Sequence, residues 1–227
     1  MHVTERELDC TRPVYADDLF EGSPDTFFYR RYVKRVLDVV VVLLALPIVL
    51  PVLGLLALLV RRDGGPAFYH QDRVGRKGRT FRLWKLRSMV VDADAQLEAY
   101  LAANPEARLE WDRTQKLKSD PRITPVGRFI RKISLAEVPQ LWNVLKGDMS
   151  LVGPRPMMPE QRALYQGGAY FELRPGITGF WQVGDRNDTT FSARAVYDAR
   201  YAQDLSLMTD VIVLLLTIRV VLRGTGY

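Results

Sequence analysis

VVVVLLALPIVLPVLGLLALLV, residues 39–60, is the stretch on which the fold turns. It holds twenty-two consecutive residues without a charge. At about 1.5 Å per residue a helix of that length reaches roughly 33 Å, enough for a hydrocarbon core of ~30 Å. Pro47 and Pro51 lie near its middle. Each removes a backbone donor and crowds the carbonyl four residues back, so a bend is expected there. Basic residues flank both ends, with Arg30, Arg31, Lys34 and Arg35 before the segment and Arg61 and Arg62 after it. Lysine and arginine collect on the cytoplasmic side of membranes, so both ends are most easily placed on that side. Two forms stay open on these grounds: a re-entrant hairpin broken at Pro47 and Pro51, and a kinked single-pass helix, which membranes also tolerate.

The flanking chain sets the context. Its 227 residues are 48% hydrophobic and 26% charged, which excludes a wholly disordered chain, a collagen-like repeat and a protein made of many spans. Residues 1–30 form an acidic tail with seven acids and three bases, net −4, so the rest carries +10 of the total +6. A basic body suits anionic lipid heads, phosphorylated substrates or nucleic acid. Nothing beyond charge supports nucleic acid, because zinc-finger cysteines and RRM-type aromatic motifs are missing. One cysteine, Cys10, and two histidines, His2 and His70, leave no thiolate or imidazole metal site. Any metal is then a hard cation held by carboxylates, magnesium first. At the other end Val211–Leu222, VIVLLLTIRVVL, is too short to span. It fits an interfacial helix with arginines at head-group level or a buried core helix.

Residues 63–210 read as a compact α/β domain. PAFYHQDRVG and RTFRLWKLRSM alternate apolar with polar residues around a Gly75–Gly78 loop, a hairpin signal. Helices are expected over Ala93–Ala103, from Asn104-Pro105 onward, and after Thr124-Pro125, the last one carrying Arg128, Arg131 and Lys132. Ser134-Leu135-Ala136-Glu137 has the pattern of a capping box opening a helix that ends at Gly147. Pro139 is too deep for an ideal first turn, so that helix starts late or distorted. Arg155 stands between Pro154 and Pro156, whose fixed φ angles present the guanidinium at low entropic cost, a setting suited to bidentate phosphate capture. A lone proline-flanked arginine is also an ordinary surface turn.

Several long motifs in one order carry a resemblance over residues 31–227. They are KRVLDVV (Lys34–Val40), the proline-broken segment, FYHQDRVGRKGRTFRLWKLRSM (Phe68–Met89), SLAEVPQLWNVLKGDMSLVGPRP (Ser134–Pro156), RPGITGFWQV (Arg174–Val183) and the C-terminal apolar helix. Together they resemble the monotopic phosphoglycosyl transferases of bacteria. WQVGDRNDTTFSARAVYDARYAQDLSL is similar to the members that begin exopolysaccharide chains with galactose- or glucose-1-phosphate.

The resemblance implies an α+β monotopic membrane protein at the cytoplasmic face of the bacterial inner membrane. Its parts would be the acidic tail (1–30), a re-entrant helix (31–62), a cytoplasmic catalytic domain (63–210) and a C-terminal interfacial helix (211–227). The implied reaction moves a hexose-1-phosphate from a UDP-sugar to undecaprenyl phosphate with magnesium, beside anionic lipids, and a homodimer is left open. In the family an Asp-Glu pair works here: the Asp attacks the β-phosphorus, UMP leaves, and the lipid phosphate takes the sugar phosphate.

In this chain the Asp position holds Ala136, followed by Glu137. Alanine offers no lone pair, so this chain is expected to bind substrates and turn them over negligibly. Ala136 is either a deliberate Asp→Ala change or the mark of a naturally inactive membrane scaffold or regulatory homologue. Intact Glu137, Arg155, Lys85 and Arg87 favour the former. Glu137 is the expected magnesium ligand, with Arg155, then Lys85 and Arg87, on the nucleotide phosphates. Arg128 and Arg131 are expected on the diphosphate or the lipid phosphate, or as a basic face against anionic lipid. Asp38 is expected to pair with Lys34 or Arg35, and Trp142 and Trp181 to be core or interfacial anchors.

Overall fold

A computed structural model describes residues 28–114, 117, 119–184 and 191–223. Most of the acidic tail, Phe27 and the 185–190 part of the subgroup motif lie outside the described residues. A π-helical turn, Tyr29–Val33, leads into α1 (Lys34–Val60), which runs without interruption through both prolines. The expected break at Pro47 and Pro51 is thus not a break in helical structure. What the prolines remove are the donors to the carbonyls of Leu43 and Pro47. Only 11% of the most apolar window of this helix is buried, which a soluble core helix would not tolerate. Leu44 and Ile48 are 73% and 74% exposed.

The ends of α1 are docked where its middle is not. Lys34, Asp38 and Val42 fall four apart on one stripe and are buried, as are Leu56 and Val60 near the far end. Val42 joins a cluster with Leu83, Val144, Met149 and Val213, and Leu56 and Val60 join a second with Leu86 and Ile130. The charged part of the stripe is held by distant elements rather than by its own helix. Lys34 Nζ donates to Asp210 at 2.6 Å, and the Tyr29 and Tyr201 hydroxyls donate to the same carboxylate. Asp38 accepts from Ser150 Oγ (2.7 Å) and from the Leu151 N–H. Arg35 donates to the carbonyls of Val144 and Leu145. The Asp38 carboxylate is therefore in direct contact with neither Lys34 nor Arg35, because the docked side of α1 offers it buried donors and gives its neighbours other acceptors, although, against burial, the Lys34 charge still favours its ionised form.

β1 (Phe68–Val74) and β2 (Thr80–Leu86) form the antiparallel hairpin expected from their alternation. The register pairs Tyr69 with Lys85, Gln71 with Leu83 and Arg73 with Phe81, so Arg73 and Lys85 share the face that carries buried Leu83. Helices α2 (Ala93–Ala103), α3 (Pro105–Thr114) and α4 (Pro125–Lys132) follow. Thr124 caps α4 by accepting from the Gly127 N–H at 2.9 Å. Next come α5 (Gln140–Lys146), β3 (Ser150–Val152), α6 (Ala169–Glu172), β4 (Gly176–Thr178), α7 (Phe180–Val183), α8 (Arg194–Gln203) and α9 (Leu207–Arg223). β3 and β4 are parallel.

Buried Asn143 on α5 clamps that helix to β2, accepting from the Trp84 N–H and donating to the Arg82 carbonyl at 2.7 Å. Asp210 and Val213 bury one side of α9, while Leu215, Ile218 and Leu222 on it stay exposed. Strands and helices are therefore mixed, with one long apolar helix at the N-terminal side.

Candidate active site

The site grows from the turn between α4 and α5. Ser134 was expected to cap a helix, but it takes a left-handed backbone (φ 57) with no capping bond. A capping residue needs extended φ/ψ. Here the following residues, Leu135–Glu137, make only one 3-10 turn, and the α-helix begins at Gln140, after Pro139. The late start is the outcome that Pro139 demands. Gly147 ends α5 in the left-handed conformation, as expected. Ala136, in the middle of the 3-10 turn, packs its methyl against the cluster of Leu56, Val60, Leu86 and Ile130.

Arg155 arrives from β3 through the PRP segment. A Cβ on Gly176 would sit 2.1 Å from the Gly153 nitrogen, so the two backbones approach as only glycine permits, and this contact fixes the start of PRP beside β4. Arg155 reaches Glu137 at 3.6 Å and lies 5.6 Å from the Trp181 ring centre. Arg194 stacks on the same ring at 4.1 Å. Trp181 is buried beneath both arginines, whereas Trp142 is 58% exposed.

Lys85 sits among these charges. Burial pushes its ammonium down to about 8; Glu137 opposes that shift, while Arg155, Arg73 and Arg131 add to it. Arg194 is pushed down to about 10 by burial and by Arg155, with Asp198 pulling the other way. Arg73 and Arg131 are lowered by burial as well, Arg73 with repulsion from Arg155. The Nε atoms of Arg73 and Arg194 are buried without a hydrogen-bond partner among the described residues. Arg155, Arg73 and Arg131 thus share the surroundings of Lys85 with Glu137, and Arg194 stands beside Arg155 and Arg73 with Asp198, a cation-rich arrangement that favours a polyanion, with bidentate forks for phosphate oxygens.

The structure brings Ala136, Glu137, Arg155, Lys85 and Arg131 to one region. Arg131 is also tied by its Nε to Ser88 Oγ at 2.9 Å. Arg128 stays exposed on α4. Arg87 is committed elsewhere: its guanidinium grips Asp63 with two nitrogens and donates to the carbonyls of Pro66, Met89 and Val60. That buried network locks the exit of α1 to β2 and leaves Arg87 no nitrogen for phosphate, which corrects the expectation placed on it.

Two residues escaped sequence reading. Arg73 could have been found by carrying the hairpin register across from Lys85. Arg194 had no signal, since it lies far along the chain from the PRP segment and meets it only through Trp181.

Beside Glu137 and Arg155 opens a cavity of about 170 Å³ that extends to α9. Among the described residues no group of three or more His, Cys, Asp or Glu could hold a metal. Glu137 is the acidic side chain on the cavity lip, which fits a magnesium ion held by one carboxylate and by phosphate oxygens of a bound substrate.

The model of the bacterial sugar transferase family matches residues 29–224. The chain is 48% identical over 198 residues to a UDP-galactose-lipid carrier transferase of Erwinia amylovora and to an undecaprenyl-phosphate galactose phosphotransferase of Salmonella typhimurium. Each match covers 86% of this chain and 42% of the relative, so the chain spans about four-tenths of the length of these relatives. It is 42% identical over 199 residues to the exopolysaccharide production protein ExoY of Sinorhizobium fredii, covering 85% of this chain and 87% of that one. By the family match and by these identities, the chain belongs to the bacterial sugar transferase family.

Proposed function

We propose that the parent of this chain transfers a hexose-1-phosphate, galactose or glucose, from a UDP-sugar to undecaprenyl phosphate as the first step of exopolysaccharide assembly. The observation that carries this is the group of Lys85, Arg155, Arg73 and Arg131 next to Glu137 and position 136, with Arg194 beside Arg155. Relatives whose names specify galactose transfer to undecaprenyl phosphate support it. An aspartate at 136 attacks the β-phosphorus, the phosphoanhydride bond breaks, and the electron pair leaves with UMP. An oxygen of the lipid phosphate then attacks the phosphosugar ester and frees the carboxylate. Arg155 and Arg194 hold the diphosphate in line, and their stacking on Trp181 limits the rotamers that must be ordered on binding. Lys85 neutralises charge as it moves to the leaving oxygen. Magnesium, when bound at Glu137, shields the diphosphate charge.

The membrane supplies the acceptor. Both ends of α1 pack on the same folded body while its apolar middle is exposed, and basic residues flank both ends. This supports a re-entrant helix held in the cytoplasmic leaflet, with α9 lying at the interface and anionic lipids meeting the basic body. Ala136 makes the chain a binder without a nucleophile. UDP-galactose titrated into the purified protein in vesicles should bind in a magnesium-dependent way, and Arg155→Ala should weaken binding about tenfold or more. A pure membrane scaffold would bind neither UDP-galactose nor UDP, which would overturn the reading.

A further inference from the structure

The cavity beside Glu137 joins a few polar side chains to a largely apolar wall. Ser134, Glu137 and Arg155 line it together with Gln182, whose amide has no hydrogen-bond partner among the described residues, and Leu141, Ile177, Val183, Val220 and Val221 make most of the remaining wall. Its two threonines present no unmet hydroxyl, since Thr178 and Thr217 bond each other at 2.7 Å and Thr217 also reaches the Val213 carbonyl. A volume of about 170 Å³ is comparable to the roughly 150 Å³ apolar cavity that takes in a benzene-sized hydrocarbon. Val220 and Val221 belong to α9, whose Leu215, Ile218 and Leu222 are 60%, 56% and 81% exposed. The cavity therefore runs from a phosphate-binding charge cluster to the underside of an apolar, exposed helix. A ligand with an anionic head and a branched hydrocarbon beginning at that head matches the charged groups and the largely apolar walls; a sugar, with a hydroxyl on nearly every carbon, would find the Gln182 amide as its main free partner beyond Arg155.

We propose that this cavity between α5, β4, α7 and α9 seats the first isoprene unit of the lipid phosphate acceptor, and that the acceptor enters along α9 rather than along α1. The inference rests on the sugar-phosphate transfer reading above. Leu141 and Val221 are then selectivity residues, requiring a branched hydrocarbon next to the phosphate, while the donor occupies the cationic side of Glu137.

The test uses the chain as it stands, in vesicles, with a prenyl phosphate carrying a diazirine on the isoprene unit next to the phosphate. Photolabel should appear in peptides covering Gln140–Lys146 and Leu207–Arg223. Label confined to Lys34–Val60, or label that an excess of undecaprenyl phosphate fails to suppress, overturns the proposal. A second arm separates the half-reactions in Ala136→Asp. Adding Val221→Phe should leave the stoichiometric release of UMP from UDP-galactose within about twofold and slow the discharge onto undecaprenyl phosphate tenfold or more. Loss of the UMP burst on adding Val221→Phe would mean that the donor fills the cavity, and unchanged discharge would mean that nothing does; either outcome overturns the proposal. If Ala136→Asp alone releases no UMP, the transfer reading itself fails, and this inference fails with it.

Discussion

Lys85 shows how far a single residue is set by its neighbours. Burial brings its ammonium to about 8, so it is protonated at pH 7 and largely neutral by pH 9. An anionic ligand favours the protonated form. UDP affinity is therefore expected to fall by up to about tenfold between pH 7 and 9, the factor by which the protonated fraction drops. Calorimetric titration across that range checks it, and Lys85→Met should be weaker throughout and flat with pH. Asp198 behaves in the opposite sense. Buried, and pushed up to about 7 against the pull of the Tyr165 hydroxyl and Arg194, it ionises at a cost to the fold. Its folded value lies above the unfolded one, so the stability it contributes is complete below the ordinary carboxylate range and is lost as pH rises toward 7. Asp198→Asn should flatten the slope of unfolding free energy between pH 4 and 7, and an unchanged slope would remove Asp198 from the account. At this scale the sequence was partly legible. Lys85, Glu137 and Arg155, which the motifs single out, do come together in space. Arg87 was misread because a motif does not tell a phosphate ligand from the buried clamp on Asp63. Arg194 was missed because its place beside Arg155 comes from tertiary contact alone, and Arg73 because the hairpin register was not carried across from Lys85.

Among elements, the entry of α1 is the joint most exposed to a single change. Asp210 of α9 accepts from Lys34, Tyr29 and Tyr201 and is 1% exposed. Asp210→Ala would leave the Lys34 ammonium buried and unpaired, at an expected cost of about 3–5 kcal/mol. The double variant Lys34→Met, Asp210→Leu should recover much of that loss. Thermal or denaturant unfolding in one fixed detergent measures both, and additive losses would contradict the pairing. The hairpin, the Thr124 cap and the Gly147 stop were readable, since each is local chemistry within a few residues. The Ser134 cap was not, because the same four-residue pattern precedes an α-helix or a 3-10 turn, and Pro139 decides which. Asp38 went wrong for the complementary reason: spacing along α1 suggested Lys34 or Arg35, but docking supplied Ser150 and the Leu151 N–H.

On the scale of the whole molecule, average composition conceals two apolar elements and a basic body that only make sense together. Residues 39–60 and α9 present apolar surface to the outside, and the cavity beside Glu137 and Arg155 reaches α9. The proposed function needs such a place, where a lipid-borne phosphate meets a water-soluble nucleotide sugar. On the proposed function the site lacks its nucleophile at residue 136, where a methyl packs against the cluster of Leu56 and Ile130. The direct test is Ala136→Asp in vesicles containing undecaprenyl phosphate, with UDP-galactose and magnesium, reading UMP release and sugar phosphate in the lipid fraction. The account predicts release at least about a thousandfold above the alanine chain; release no faster than that of the alanine chain, from a folded and membrane-bound variant, would contradict it.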